Sequence, residues 1–355
     1  MTSSFLTARF DASNRKLAQF ASALEGQVAP DRAEILGDGT CIYVVGSGGR
    51  EEIGTYSDLD VFLVSQTEPT RIQEILLQAS VIRALRATGF PDPDGGGRFL
   101  QLHHAPRLVD QLGAPTDDTE NTFTARMLLL LESKPLLGHG AYEALVDTCL
   151  DAYWKNTREG RAYLPMVLVN DIVRYWRIVL LNYESRHAQD IRKECAKHPD
   201  ESFAAVEKRL QPKKWAKGIK LRFARCMSCF SVIAALLAEV VAHGSVARSN
   251  AREILRKTPL QRLADVRTWS LTRPELVDLG DLGEVAAIIT ELETLYASFL
   301  EVGDREKNGI EMLMRHEDAS EGKQLFKAAD RFAQRYFDLL QELGKGNPLF
   351  RYLVV

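Results

Sequence analysis

The chain of 355 residues carries 45 Lys and Arg against 48 Asp and Glu, a net charge of −3, with 45% hydrophobic and 26% charged residues. That balance is ordinary for a folded protein long enough for two cores, and it argues against a general nucleic-acid-coating surface. The N-terminus lacks the apolar core of a signal peptide, and no window reads as the roughly 18 uncharged apolar residues needed to span a bilayer. Five dispersed cysteines, an odd number, fit a reduced, cytoplasmic protein with no disulfide framework.

In chain order, Phe5, Leu6, Phe10, Leu17, Phe20, Ala21 and Leu24 recur at helical spacing and predict an amphipathic helix over 4–26. A strand is expected at 41–45, a turn and short helix at 46–55, and a second strand at 59–64. A helix follows at 70–88, between Pro69 and Gly89. The Pro- and Gly-rich stretch 90–97 is a loop, and 98–104 reads as a third strand. A short helix at 106–112 and a polar loop at 114–119 lead to an apolar helix at 121–133, closed by Pro135 and Gly138.

Beyond residue 140 the pattern is helical, at about 141–158, 162–186, 201–210, 213–243, 247–257, 284–301 and 320–344. The expected class is α+β: a small mixed sheet with helices, followed by a mainly α-helical domain. The corresponding division is an N-terminal helix (1–29), a sheet domain (30–140) and a helical domain (141–355), with the boundary near 138–160.

The most informative stretch is CIYVVGSGGREEIGTYSDLDVFLV, residues 41–64. Side chains alternate along a strand, so Asp58 and Asp60 point the same way, about 6.5–7 Å apart. Two carboxylates so placed can share hard cations, which take oxygen ligands and keep several waters. Before them, Gly46 lets the backbone approach closely, Ser47 adds a hydroxyl, and Gly48 and Gly49 permit a sharp exit from the strand. Such a turn offers N–H groups to phosphates. Arg50 is suited to a phosphate or to an ion pair with Glu52 or Asp58.

Gly46, Ser47, Asp58 and Asp60, in this order and spacing, resemble the nucleotidyltransferases of the DNA polymerase beta superfamily. The longer form, with Arg50 and Glu52 and with Ser57 before Asp58, looks closest to the branch containing the protein-PII uridylyltransferase and its signal-transduction relatives. The resemblance implies a metal-dependent enzyme. Mg²⁺ (or Mn²⁺) would sit on Asp58 and Asp60, the β- and γ-phosphates of an NTP on Gly46 and Ser47, and pyrophosphate would leave. It implies a macromolecular acceptor, protein or tRNA, and no membrane. A second-messenger synthase and a silent nucleotide-binding module are the alternatives, and the oligomeric state is left open.

Many members place a third carboxylate on a later strand, but RFLQLHH carries none. Asp118 is the substitute expected here, beside Asp94, Asp110, Asp117 and Glu132; Asp117 and Asp118 also suit helix capping. His103 is a further candidate base. For Glu132, interrupting a leucine run, an ion pair with Arg126 or Lys134 is expected.

In the helical half, Asn170, Arg174 and Arg177 share one helical face. Lys213, Lys217 and Lys220 share another, in a segment interleaved with Trp215 and Phe223. Arg174, Arg177, Lys217 and Lys220 are therefore candidate contacts for a triphosphate or an RNA acceptor, against a plain solvated face. Cys226 and Cys229 match CxxC spacing without a second pair, so a buried helix face is expected.

Overall fold

In a computed structural model, the structure describes residues 2–37, 39–93, 100–155, 157, 162–272, 282–315 and 320–353. The chain forms two compact units. Met1–Tyr163 with Ala247–Thr258 make the first, and Leu164–Val246 with Pro259–Val355 the second. A small mixed sheet with flanking helices precedes a mainly helical region, as the patterning implied.

In the first unit the described elements include helix α1 (Thr2–Val28), strand β1 (Thr40–Val45), the single turn α2 (Gly46–Gly49), β2 (Asp60–Ser65) and α3 (Arg71–Ala87). They continue with β3 (Leu102–His104), α4 (Thr122–Glu132), β4 (Ser133–Leu137) and α5 (His139–Trp154). The sheet order is β3-β2-β1-β4. β1 is antiparallel to both β2 and β4, and β2 is parallel to β3.

Strand periodicity assigns the two faces of the sheet. Ile42, Val44, Val61 and Leu63 pack with Leu17, Phe20, Leu24 and Val28 of α1 and with Leu77, Val81 and Leu85 of α3. On the other face Tyr43, Phe62 and His103 form a row of stacked rings, with centroids 5.6 and 5.8 Å apart, and Tyr142 of α5 meets Tyr43 edge-on. Thr70 caps α3, its Oγ1 accepting from the Gln73 N–H at 3.1 Å.

β4 was not expected from the sequence. The apolar helix ends at Glu132, and Ser133, Lys134, Pro135 itself and Leu137 pair with β1 along the sheet edge. An edge strand tolerates the missing N–H, and the register shifts between Ile42 and Tyr43 where Pro135 enters. Part of the expected third strand, 98–99, and residues 94–97 of the loop 90–97 lie outside the described residues, and the strand itself covers Leu102–His104.

Helix α9 (Arg248–Arg256) belongs to the first unit although it lies far along the chain. Ala251 and Leu255 are buried, and three arginines one turn apart meet the acids of α5. Arg248 pairs with Asp147 (3.0 Å) and Asp151; Arg252 with Asp147 (2.6 Å) and Glu143 (2.8 Å); Arg256 with Glu143. Hydrogen bonds from Arg252 hold the Asp147 carboxyl below the usual range.

Among its described residues the second unit has helices and no strand: α6 (Met166–Lys197), α7 (Phe203–Lys220), α8 (Cys226–His243), α10 (Pro259–Thr272), α11 (Leu282–Arg305), α12 (Gly309–Arg315) and α13 (Ser320–Gly344), with short turns between them. Pro212 does not divide α7, and a π-helical turn at Leu221–Arg225 carries α7 directly into α8. The run Phe203–His243 is long and apolar enough to cross a membrane by length and composition, and 72% of its apolar window is buried inside the protein. Phe223, Tyr296, Phe299, Phe332 and Tyr336 stack around it in the core. Cys226 and Cys229 lie on its buried face, where burial pushes the Cys229 thiol up to about 12.

Among the described glycines of the first unit the closest approach is at Gly49, where a β-carbon would lie 1.9 Å from the Glu132 carbonyl oxygen. Both partners are backbone, so neither can move aside. Gly49→Ala is expected to cost at least about 2 kcal/mol of unfolding free energy in urea titrations. Gly140→Ala, where a β-carbon meets nothing within 4 Å, serves as the neutral control.

Candidate functional site

The site begins where β1 ends. Val45 is extended (φ −127°), and Gly46 reverses the chain at φ +62°, a conformation that L side chains rarely adopt. The next residues close one helical turn through Arg50 N–H to Gly46 O (3.0 Å), Glu51 N–H to Gly48 O (3.1 Å) and Glu52 N–H to Ser47 O (2.8 Å). The exit from the strand is therefore made at Gly46, while Gly49 provides the close approach to Glu132. Ser47 is half-buried and Gly46, Gly48 and Gly49 are buried.

Asp60 opens β2 and lies opposite Val45, the last residue of β1. Its Oδ2 is 3.0 Å from where a Gly46 β-carbon would stand, so the carboxylate packs directly on the turn. Asp58 precedes the strand. Both Asp58 and Asp60 are exposed, and Leu59 between them is buried, as alternation requires. The structure thus brings Gly46, Ser47 and Asp60 together and leaves Asp58 open to solvent beside them.

Arg50 lies under the turn. Its Nε donates to Glu52 (2.8 Å) and its NH1 to Glu132 (2.7 Å), and all three side chains are buried. Of the two roles open to Arg50, the ion pair with Glu52 is present. Glu132 takes Arg50 as partner rather than Arg126 or Lys134, because the end of α4 is pressed against Gly49. Lys134 instead pairs with Glu51, a buried non-glycine residue at φ +60°, and also donates to Asn14 at 2.6 Å. Removing Arg50 would leave two carboxylates buried without their shared cation. Arg50→Met is expected to lower the unfolding free energy by about 3–5 kcal/mol, read by denaturant titration.

The expected third acid is not joined to the pair. Asp118 is exposed on the short turn Thr116–Thr119, and its neighbour Asp117 is buried in a bidentate pair with Arg126 (2.6 and 3.1 Å). Thr122 Oγ1 also donates to Asp117 at 2.8 Å, so this acid ties α4 to the turn before it rather than capping a helix. Asp94 lies outside the described residues. Among the described residues, no three His, Cys, Asp or Glu side chains gather as a metal-binding group.

His103 stacks on Phe62, two residues beyond Asp60 on the same face of β2. Burial holds its imidazole below the ordinary histidine value, so it is neutral at pH 7. A basic group depressed in this way binds its proton more readily when unfolded. Its contribution to stability is full above about pH 6.5 and is lost as the pH falls through the folded-state value. In His103→Phe, which keeps the stack, the loss of Tm between pH 7.5 and 5 is expected to shrink by a few degrees, at about 2–4 °C per kcal/mol.

In the second unit, Asn170, Asp171, Arg174 and Arg177 of α6 line a cavity of about 330 Å³ with Tyr352 and Leu353. Arg174 lies 3.7 Å from Asp171. Lys217 and Lys213 both reach Asp190, at 3.4 and 3.6 Å, and Lys214 reaches Glu184. This lysine face is therefore partly neutralised by α6, while Lys220 is exposed. Of the interleaved aromatics, Trp215 is exposed and Phe223 belongs to the core, as does Tyr175 beside Arg174 on α6.

Three polar groups of α1 were not anticipated. Arg9, Ser13 and Lys16 bond the backbone of residues 52–54. A signal for Ser13 was present, since it occupies a position in the stripe continued by Leu17, Phe20 and Leu24 where an apolar residue is expected.

Residues 2–99 match the family described as "Putative nucleotidyltransferase DUF294". The matched span includes α1, the Gly46–Ser47 turn and both aspartates. The match is to a family described as nucleotidyltransferases, covers the N-terminal residues 2–99, and does not single out the PII-modifying branch. No curated protein and no solved structure matches the chain.

Proposed function

We propose that the first unit transfers a nucleoside monophosphate from an NTP to a hydroxyl, releasing pyrophosphate, with a divalent metal held by Asp58 and Asp60. The observation that carries this reading is the packing of the Asp60 carboxylate against Gly46. It joins a turn suited to phosphates with an exposed pair of hard oxygen ligands. The family match over residues 2–99 supports the same class.

The donor set fits Mg²⁺ or Mn²⁺ as a partial site. Two carboxylates on one face leave most positions to water and to substrate phosphates, which is the usual economy for magnesium. When bound, the metal supplies charge neutralisation on the phosphates. The chain itself would orient the triphosphate through the backbone N–H groups of the Gly46 turn and the Ser47 hydroxyl. The acceptor oxygen bonds to the α-phosphorus, the bond to the β-phosphate bridging oxygen breaks, and the hydroxyl proton leaves to solvent on the exposed side of the pair. Arg50 takes part through its ion pairs, which hold the turn in place.

A macromolecular acceptor, protein or tRNA, is the reading adopted here. Within the second unit, Arg174, Arg177 and Lys220 are proposed to meet phosphates of the acceptor, Lys217 less so because Asp190 already engages it. A signal synthase would make its product from NTP alone, and a silent module would bind Mg-NTP without turnover.

Pyrophosphate release with each of the four NTPs and Mg²⁺ tests this, with total RNA, cell lysate or no acceptor supplied in parallel. Release in wild type that falls by at least about 100-fold in Asp58→Ala/Asp60→Ala is expected. Release without acceptor would shift the assignment to a signal synthase. Nucleotide binding with no release under any condition would shift it to the silent module.

A further inference from the structure

The connection between the Gly46 turn and β2 has little regular structure. From Glu52 to Leu59 the backbone belongs to no helix or strand, yet it sets where Asp58 and Asp60 stand relative to Ser47. Backbone polar groups in such a segment need partners, and here α1 provides them. Arg9 Nε donates to the Glu52 carbonyl (3.0 Å), the Ile53 N–H donates to Ser13 Oγ (3.1 Å), and Lys16 Nζ donates to the Gly54 carbonyl (2.7 Å). The Gly54 N–H goes to Ser57 Oγ at 2.9 Å.

Positions 9, 13 and 16 are four and three residues apart, so one face of α1 presents all three groups to three consecutive residues. Apolar docking does not account for this part of the helix. Residues 4–12 are all exposed or half-buried, and the first fully buried side chain is Ser13 itself. The core contacts begin only at Leu17 and continue through Phe20, Leu24 and Val28. The C-terminal half of α1 anchors the helix, and the N-terminal half grips the loop.

We infer that Arg9, Ser13 and Lys16 are positioning residues that hold residues 52–54 and, through them, the aspartate pair in register with the Gly46 turn. The inference rests on the nucleotidyl-transfer reading for its catalytic consequence, but the grip itself has an independent readout.

The test uses the full chain with Arg9→Met, Ser13→Ala and Lys16→Met, and with Arg9→Lys and Lys16→Arg as conservative partners. Three quantities are read: kcat and KM for pyrophosphate release, amide hydrogen exchange by peptide, and Mn²⁺ affinity in the presence of a non-hydrolysable NTP analogue. The expected result is a kcat lowered about tenfold or more with KM changed less than about threefold, and Lys16→Arg restoring most of the loss. Exchange should quicken over residues 52–60 and stay unchanged over 17–28 and in β1, and Mn²⁺ affinity should fall several-fold.

Wild-type and mutant kcat values that agree would overturn the inference, as would exchange rising evenly across the first unit, the mark of plain destabilisation. If the wild type releases no pyrophosphate, the transfer reading fails alone. Exchange and Mn²⁺ affinity then decide the grip, and no change in either sinks it.

Discussion

The backbone contact between Gly49 and Glu132 organises the first unit. A glycine at 49 lets the turn after β1 touch the last carbonyl of α4, at the point where that helix gives way to β4. The same junction carries the Glu132 carboxylate to Arg50, and Arg50 reaches on to Glu52. The Gly-Ser turn is thereby fixed by a neighbour 83 positions away in sequence. A buried ion pair of this kind contributes little net stability over an apolar substitute, but it specifies one arrangement of the groups it joins.

Around that junction further polar interactions secure the turn and the segment that follows it. Glu51 holds Lys134, Lys134 reaches Asn14, and α1 secures residues 52–54. Asp117 and Arg126 lock α4 from its other end. Most of the charged groups near the turn are occupied in holding it, whereas the aspartate pair remains exposed. A rigid backbone presenting two solvent-facing carboxylates suits metal-assisted transfer, in which positioning and charge stabilisation supply most of the catalysis.

Much of this was legible in the sequence because it depends on short-range periodicity. The strands on either side of the turn, the alternation placing Asp58 and Asp60 about buried Leu59, and the helical C-terminal half all follow from local spacing. β4 was hidden by Pro135, whose missing N–H matters only if the strand is not at an edge. The continuity of the helix through Pro212 was hidden in the same way, since a proline signals a break locally and burial of Val206, Ala216 and Ile219 overrides it. Ser13 sits in the apolar stripe of α1, but that its hydroxyl meets the Ile53 N–H is set by packing and not by the helical spacing.

By itself the sequence determined the turn, the paired aspartates and the succession of elements, because covalent spacing along a strand or helix dictates which side chains share a face. The tertiary structure decided the partners. Arg50 went to Glu132 and Arg126 to Asp117, and Asp118 was left apart from the aspartate pair. Ion pairs and backbone contacts between residues tens of positions apart depend on how the sheet and helices pack, and no periodicity in one dimension records that distance.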